Sequence, residues 1–150
     1  LQDIFIKTAG FLPNELKTPF SGKSLTFNPD DGNFVFGSQE GRIAVCTQKE
    51  VMRDKNVGFL GGITSIILQG KSEFIITACK KTGSIKRFTY SNFESYDNFV
   101  GHDEQVNDIT LSPDEKYMYS VSNDKTVRKW DITQKSDNFN VKTLYTHNDS

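Results

Sequence analysis

Cysteine and histidine are scarce in this sequence, with two of each among 150 residues. Cys46 and Cys79 both lie inside apolar, strand-like runs, and no pair of cysteines or histidines has the spacing of a metal site. We therefore expect no metal, no cofactor, and buried free thiols in a reducing compartment. A disulfide between the two cysteines is the alternative.

The sequence also lacks an excess of one charge and a long apolar run. Its formal net charge is -1 at pH 7, so the basic surface of a nucleic-acid or anionic-membrane binder is not expected. No apolar run approaches the roughly 20 residues that cross a bilayer, and the opening LQDIFIKTAG lacks the layout of a signal peptide. We expect an intracellular, cytoplasmic protein, with a cytoskeletal or nuclear location as alternatives. Because the chain opens on Leu1, we expect these residues to belong to something longer.

Amphipathic helical stripes are missing as well, and short runs rich in β-branched and aromatic residues take their place. Three segments repeat one layout of run, polar turn, run, tight turn and run. Their third runs open on Ile43, Ile85 and Val127, at intervals of 42 residues. The tight-turn residues two positions before these are Gly41, Gly83 and Lys125. Short strands at this spacing favour an all-β propeller over a sandwich, a barrel or a helical solenoid.

A further run follows each segment, at 55–60, 95–100 and 141–146, and is predicted to be the outer strand of its unit. The predicted fold is therefore all-β, with propeller blades of four antiparallel strands. The domain expected over 1–150 is a partial propeller, in which 1–20 is the end of a preceding blade or a loop. Its three blades are expected at about 21–60, 61–100 and 101–146.

One segment carries a specific motif. Residues 101–132, GHDEQVNDITLSPDEKYMYSVSNDKTVRKWDI, combine a Gly-His opening, an SPDEK turn, a hairpin and a closing Trp-Asp. This unit resembles the WD-repeat β-propeller family, and the two units before it resemble degenerate repeats through their spacing and turns. The resemblance implies about three blades of a larger, seven-bladed ring, because three blades alone leave strand edges open. His147 stands where a next Gly-His is expected.

The resemblance also implies a structural tetrad of hydrogen-bonded side chains inside the third blade. Its members are His102, Ser120, Asp124 and Trp130. Such a network is costly when only partly satisfied, so its members are expected to be kept or lost together. The degenerate units fit this expectation, since counting along the sequence places other residue types at the positions of the serine, aspartate and tryptophan. These are Ala78, Thr82 and Phe88 in the second unit, and Phe36, Glu40 and Cys46 in the first.

Two other clusters have chemical interpretations. His102 with Asp103, Asp108 and Ser120 has the residue types of a nucleophilic triad or a metal site, but the histidine already belongs to the tetrad and no nucleophile elbow is present. We therefore expect no catalytic residue, no metal and no enzyme activity in this chain. A second cluster is basic, and it either recognises phosphate or an acidic peptide or is a solvated surface, which we favour. It consists of Lys80, Lys81, Lys86 and Arg87.

Propellers of this family commonly bind partners on the face where the outer-to-inner loops and the turns between second and third strands converge. Transferred to matching positions, the resemblance implies partner contacts at Gln105, Asn107 and Asn123, with Thr64, Lys81 and Gln39 in the earlier blades. The expected function is a non-catalytic scaffold within a multiprotein complex, whose partners are proteins or peptides. The alternatives are the targeting domain of a larger kinase or ubiquitin ligase, and a structural component of a cytoskeletal or ciliary assembly.

Overall fold

The computed structural model describes residues 17–133 and 141–146, and every regular element in these ranges is a β-strand. The twelve strands are β1 (Gly22–Phe27), β2 (Phe34–Ser38), β3 (Arg42–Cys46), β4 (Val51–Asn56), β5 (Ile63–Gln69), β6 (Phe74–Cys79), β7 (Ile85–Thr89), β8 (Ser95–Phe99), β9 (Val106–Leu111), β10 (Tyr117–Ser122), β11 (Thr126–Asp131) and β12 (Val141–Thr146). Residues 1–16 of the segment expected to end a preceding blade or form a loop, and the expected repeat start at His147, lie outside the described residues.

The strands form three four-stranded sheets in which chain neighbours pair side by side and antiparallel. Sheet 1 is β1–β4, sheet 2 is β5–β8 and sheet 3 is β9–β12. The hairpins between second and third strands need a left-handed residue, and Gly41, Gly83 and Lys125 have φ angles of 76°, 61° and 65°. The predicted all-β class with four-stranded antiparallel blades is confirmed.

The sheets pack face to face through two apolar layers. The first layer joins Val35 of sheet 1 to Phe88 of sheet 2, and the second joins Ile76 of sheet 2 to Trp130 of sheet 3. All four side chains are buried. Successive residues of β6 point to opposite layers, Ile75 into the first and Ile76 into the second, so sheet 2 is covered on both faces. Each such side chain contributes about 1.5 to 3 kcal/mol through burial.

The first strands of the sheets, β1, β5 and β9, lie next to one another at the inner edge. Side chains tie them together across the sheets: Ser24 Oγ accepts the backbone N–H of Ile66 at 3.1 Å, and Ser65 Oγ donates to Asp108 Oδ1 at 2.7 Å. These bonds join positions about one repeat apart, so the inner edge holds the sheets in register. The fourth strands β4, β8 and β12 form the outer edge.

The predicted fourth strand at 55–60 is wrong, because β4 spans Val51–Asn56 and the residues after it form a loop. The reason is backbone geometry: Gly58 has a φ angle of 75°, and Gly61 and Gly62 after it have 81° and 96°, far from the extended backbone of a regular strand. The apolar letters that suggested a strand include Phe59, which is buried from the loop into the first apolar layer.

Candidate protein-interaction face

The loops that the sequence predicted to carry partner contacts lie at one end of the three sheets. We call this end the loop face and define it as residues 39–41, 57–62, 80–84, 100–105 and 123–125, together with Asn107 near the start of β9. Backbone hydrogen bonds hold its segments together, since Lys80 N–H donates to Gly62 O at 3.0 Å and Asn123 N–H donates to Gln105 O at 2.9 Å. The contact between turn and loop is close: a Cβ on Gly62 would lie 2.6 Å from Gln39 O. Each outer-to-inner loop is thus packed against the neighbouring hairpin turns.

The four residues of the implied tetrad form one continuous hydrogen-bonded chain in sheet 3. Trp130 Nε1–H donates to Ser120 Oγ at 2.8 Å, Ser120 Oγ lies 2.7 Å from His102 Nε2, and His102 Nδ1 lies 2.6 Å from Asp124 Oδ2. Because the indole can only donate and the carboxylate can only accept, the serine hydroxyl donates to Nε2 and the Nδ1–H donates to Asp124. The chain ties the loop before β9 to the hairpin turn and to β11.

The protonation states of the tetrad follow from its surroundings. Burial lowers the pKa of His102 and outweighs the opposing effect of Asp124, so the imidazole is neutral at neutral pH. Partial burial raises the pKa of Asp124, but hydrogen bonds from Thr126, His102 and the backbone N–H of Asp103 outweigh it and hold that pKa well below its usual range. The carboxylate is therefore an ionised anchor at the end of a neutral chain.

Strand pairing shows that Thr77, and not Ala78, corresponds to Ser120 in the second blade. Ser120 pairs with Arg128 and Thr77 pairs with Lys86, whereas Ala78 pairs with Ile85. The β6–β7 turn is one residue longer than the β10–β11 turn, and counting back from β7 therefore shifted the prediction by one position. The polar group is not lost as predicted, since the buried Thr77 hydroxyl remains and donates to Lys86 O at 3.4 Å.

The position of His102 is also filled in the second blade, by Phe59. The dipeptide Gly58-Phe59 stands 43 residues before Gly101-His102, and both loops lead into the inner strand that follows. Phe59 is buried in the same apolar layer as Phe88, the counterpart of Trp130. Sequence reasoning missed this residue, although the glycine before it is a signal that the two loops correspond.

The first blade replaces the polar pair with aromatic contacts. The rings of Phe20 and Phe36 lie 5.2 Å apart, and the Arg42 guanidinium lies 5.5 Å from the Phe20 ring. Phe36 pairs with Ala44 as Ser120 pairs with Arg128, so it is the counterpart of the serine. Glu40 does not join a network of this kind, and its pKa is lowered mainly by a hydrogen bond with Ser38 in its own turn.

Three of the predicted partner-contact residues form a chain of side-chain amides on the loop face. Gln105 Nε2 donates to Asn107 Oδ1 at 2.7 Å, and Asn107 Nδ2 donates to Asn123 Oδ1 at 2.7 Å. Asn107 and Asn123 are exposed and Gln105 is half-buried. Each amide nitrogen in this series donates to the oxygen of the next side chain. Gln105 Oε1 therefore remains as an acceptor, and Asn123 Nδ2 remains as a donor, for an incoming ligand.

The other three predicted contacts differ from one another. Thr64 is committed to the fold, because its hydroxyl donates to Val106 O at 2.6 Å between β5 and β9. Lys81 and Gln39 are exposed on the loop face, and neither side chain makes a hydrogen bond within the described residues. The structure therefore brings Gln105, Asn107 and Asn123 together, and leaves the two earlier-blade residues as separate exposed groups.

The geometry of Ser120, His102 and a carboxylate resembles a hydrolytic triad, but the carboxylate is Asp124 and not Asp103 or Asp108. Asp103 and Asp124 meet only through the Asp103 backbone N–H, and Asp108 bonds Ser65 instead. Ser120 is only 1% exposed and already accepts the indole N–H of Trp130. A substrate cannot reach this hydroxyl, so the constellation acts as a structural tie.

The predicted basic cluster does not form one surface. Arg87 is buried between sheets 2 and 3, where it forms an ion pair with Asp97 and donates to Gln69 Oε1 at 3.0 Å. Lys86 lies 5.0 Å from the Phe59 ring centroid, and only Lys80 and Lys81 are exposed. The cluster prediction was wrong for Arg87, because the pairing of β7 with β8 points that side chain at Asp97.

Other site classes find no support in the part of the chain that the structure describes. Cys46 and Cys79 are free and buried. Within residues 17–133 and 141–146, no three histidine, cysteine or acidic side chains are grouped to hold a metal ion. The described residues also contain no helix of the length and apolarity that would span a membrane.

Comparisons with known proteins agree with this architecture. Residues 93–131 match the family model "WD domain, G-beta repeat". The chain is 31% identical over 121 residues to the U4/U6 small nuclear ribonucleoprotein PRP4 of Saccharomyces cerevisiae, covering 77% of this chain and 26% of that protein. It is 32% identical over 142 residues to the nuclear distribution protein nudF of Aspergillus niger, covering 86% of this chain and 32% of that protein.

A solved structure shows the same fold. The beta-propeller domain of Myceliophteria thermophila Cps50 (Swd1) superposes with a TM-score of 0.73 at 16% identity, over 87% of this chain and 39% of that one. The chain thus spans 26% and 32% of the lengths of the two curated relatives. This chain therefore carries a WD40 repeat and is built from blades of the WD-repeat β-propeller type.

Proposed function

We propose that this chain is part of a non-catalytic, intracellular scaffold for protein interactions, and that its loop face binds partner proteins as peptides or domain surfaces. The amide chain of Gln105, Asn107 and Asn123 supports this proposal most directly. Its groups lie on two loops and near the start of β9, at the end of a rigid sheet, where binding residues concentrate. Their mutual hydrogen bonds fix the side-chain rotamers before a ligand arrives, which lowers the entropy lost on binding.

The chemistry of the loop face favours a protein ligand. Side-chain amides offer donors and acceptors that match the backbone N–H and C=O groups of a peptide. The exposed charges on this face have both signs, with Lys80 and Lys81 beside Asp103 and Glu104, so no single-signed ligand is selected. Membership of a larger complex is supported by likeness to PRP4, a small nuclear ribonucleoprotein.

The test is an affinity purification with quantitative mass spectrometry from native lysate. Full-length protein is compared with a variant carrying Gln105→Ala, Asn107→Ala and Asn123→Ala. A matched control carries Gln48→Ala, Ser91→Ala and Asn98→Ala, which are exposed polar residues outside the loop face. Circular dichroism and thermal melting establish that all three proteins fold equally.

We expect the loop-face variant to lose a small set of partners that the control retains. Loss of the same partners from both variants, or an unchanged partner list, would refute the amide chain as the binding element. In that case the outer strands become the surface to examine, as the structural-assembly alternative requires.

A further inference from the structure

A groove lies at the inner edge of the sheets, at the end opposite to the loop face. It has a volume of about 510 Å³ and is formed where β1, β5 and β9 end and their turns begin. Corresponding positions of the three blades line it, Thr26, Ile67 and Thr110 along one row and Phe27, Leu68 and Leu111 along the next. The groove therefore crosses all three blades and repeats one pattern of apolar and small polar side chains.

The position of this groove separates it from the apolar surface on sheet 1. That surface includes Phe36 and Cys46 and lies on the flat face of sheet 1 that points away from sheet 2. Faces of this kind are covered where one sheet packs on the next. The groove instead opens along the inner edge, which sheet packing leaves uncovered. Phe27 stands at the rim and is 52% exposed, but it pairs with Phe34 and its ring lies 5.4 Å from that ring, so it also belongs to the apolar surface on sheet 1. Leu68 and Leu111, at the corresponding positions of the other two blades, are half-buried and form the apolar part of the groove.

The turns around the groove are acidic. The three turns, at 28–33, 70–73 and 112–116, carry five carboxylates and two lysines. The acidic side chains are Asp30, Asp31, Glu73, Asp114 and Glu115, and the basic ones are Lys71 and Lys116. The rim is therefore negative, in contrast to the mixed charges of the loop face.

Several of these carboxylates are held in the ionised form. Partial burial opposes the ionisation of Asp31, but the Tyr90 hydroxyl donates to it at 2.6 Å and its pKa is lowered overall. The pKa of Asp114 is lowered mainly by the hydrogen bond from Ser112. Both groups therefore contribute full negative charge at neutral pH.

Two carboxylates and one lysine, Lys71, line the groove itself, and the fold positions the carboxylates. Ser72 Oγ lies 2.8 Å from Asp30 Oδ2 and 2.5 Å from Asn28 Oδ1, and the backbone N–H of Gly70 donates to Glu115 Oε2 at 2.7 Å. Within the described residues, the second oxygen of each carboxylate accepts no hydrogen bond. Glu115 and Ser72 have left-handed backbones, with φ angles of 54° and 62°, and these turn conformations aim the side chains across the blade boundary.

We propose that this groove is a second binding site, which takes an extended basic segment of a partner protein with arginine or lysine next to aliphatic side chains. The cationic groups pair with Asp30 and Glu115 while the aliphatic groups pack on Phe27, Leu68 and Leu111. Alternation of side chains in an extended peptide matches the groove, where the row of Thr26, Ile67 and Thr110 lies beside the apolar row of Phe27, Leu68 and Leu111. The negative rim favours approach of such a segment and disfavours a nucleic-acid backbone.

The test measures fluorescence anisotropy of labelled synthetic peptides added to full-length protein at physiological ionic strength. The first probe alternates arginine and leucine over about ten residues, roughly 33 Å when extended. The second has glutamate in place of arginine, and the third has serine in place of leucine. We expect saturable binding of the arginine–leucine probe and at least tenfold weaker binding of each of the others.

Two variants locate the site. Asp30→Asn with Glu115→Gln removes both charges but keeps oxygens that accept the bonds from Ser72 and Gly70, and we expect about tenfold weaker binding of the first probe. Thr110→Arg places an exposed cation inside the groove and is expected to weaken binding further. The matched control, Asp103→Asn with Glu104→Gln, removes the same net charge from the loop face and should change the affinity less than about twofold.

The proposal is overturned if the glutamate probe binds as well as the arginine probe. It is also overturned if the groove and loop-face charge variants weaken binding equally, because net charge alone then explains the attraction. If the Thr110→Arg variant binds the arginine–leucine probe as tightly as the unaltered protein, and circular dichroism shows that it is folded, the groove is not the binding site. The triple amide variant of the loop face should keep full affinity, so this test fails or succeeds separately from that of the scaffold function.

Discussion

The second and third blades share one strand layout but are held together at the loop face by different chemistry. In the third blade, His102, Ser120 and Trp130 form a polar chain that ends on an ionised carboxylate. In the second, Phe59 and Phe88 pack as apolar counterparts of the histidine and the tryptophan. The comparison shows that the fold needs these positions to be well packed and to leave no buried polar group without a hydrogen bond. Either a complete hydrogen-bonded chain or close apolar packing meets both needs.

The first blade extends the comparison. Its Phe20 and Phe36 rings contact each other, and the Arg42 guanidinium lies over the Phe20 ring, so this blade too replaces the polar pair by apolar and cation–π contacts. A buried donor without a partner costs about 1 to 3 kcal/mol, which accounts for the presence of the histidine and the tryptophan together in one blade and their absence together from two. The hydroxyl retained at Thr77 has the Lys86 carbonyl as its partner instead.

The largest effect is expected from Trp130→Ala. The side chain is fully buried and donates to Ser120, so truncation removes both the packing and the hydrogen bond and should destabilise the third blade by about 3 to 5 kcal/mol. Trp130→Phe, which copies the second blade, keeps most of the packing and should cost about 1 to 3 kcal/mol through the lost donor. Urea unfolding followed by circular dichroism measures both, and an equal loss from the two variants would show that the N–H carries the whole effect.

A smaller effect is expected from pH, and only in the third blade. The pKa of His102 is lowered in the folded protein, so the unfolded chain binds a proton more readily and stability is lost as pH falls below the usual histidine pKa of about 6.5. Between pH 7 and pH 5, hydrogen exchange measured by mass spectrometry should accelerate in β9–β11 relative to β5–β7. The His102→Phe variant should abolish this difference, and persistence of the difference would assign it to another group.

The smallest effect is expected from Thr77→Ala in the second blade. The Thr77 hydroxyl is buried, but its bond to Lys86 O is long at 3.4 Å, so its loss should cost about 1 kcal/mol or less. Ser120→Ala should cost more, because it leaves both His102 Nε2 and the Trp130 Nε1–H without a partner. Thermal melting of the two variants side by side checks this order, and the reverse order would mean that the serine is dispensable in its network.

Much of the third blade was predictable because its motif is local. The Gly-His opening, the SPDEK turn and the Trp-Asp end all lie within 101–132. The tight turns were predictable too, since Gly41 and Gly83 are residues that tolerate a positive φ. Fold class followed from these features together with the 42-residue spacing.

The failures share one cause. Thr77 was missed because the β6–β7 turn is one residue longer than the β10–β11 turn, which shifts the strand pairing. β4 was misplaced because Phe59 is a buried apolar residue of a loop and not of a strand. Arg87 was assigned to a basic surface although it pairs with Asp97 between two sheets. In each case the decisive contact joins segments whose relative register depends on turn length, which local composition does not encode.

The amino-acid sequence by itself determined the short strands, the left-handed turns and the repeat, because each depends on residue type and near neighbours. The members of the tetrad came from the resemblance of 101–132 to the WD-repeat family. Only the tertiary structure decided that Gln105, Asn107 and Asn123 form one amide chain, and that Phe27, Leu68 and Leu111 line one groove. Most of these residues lie far apart in the chain, and Phe27, Leu68 and Leu111 come from three different sheets. They meet because successive sheets pack face to face with their inner strands side by side, and that packing is a property of the assembled layers.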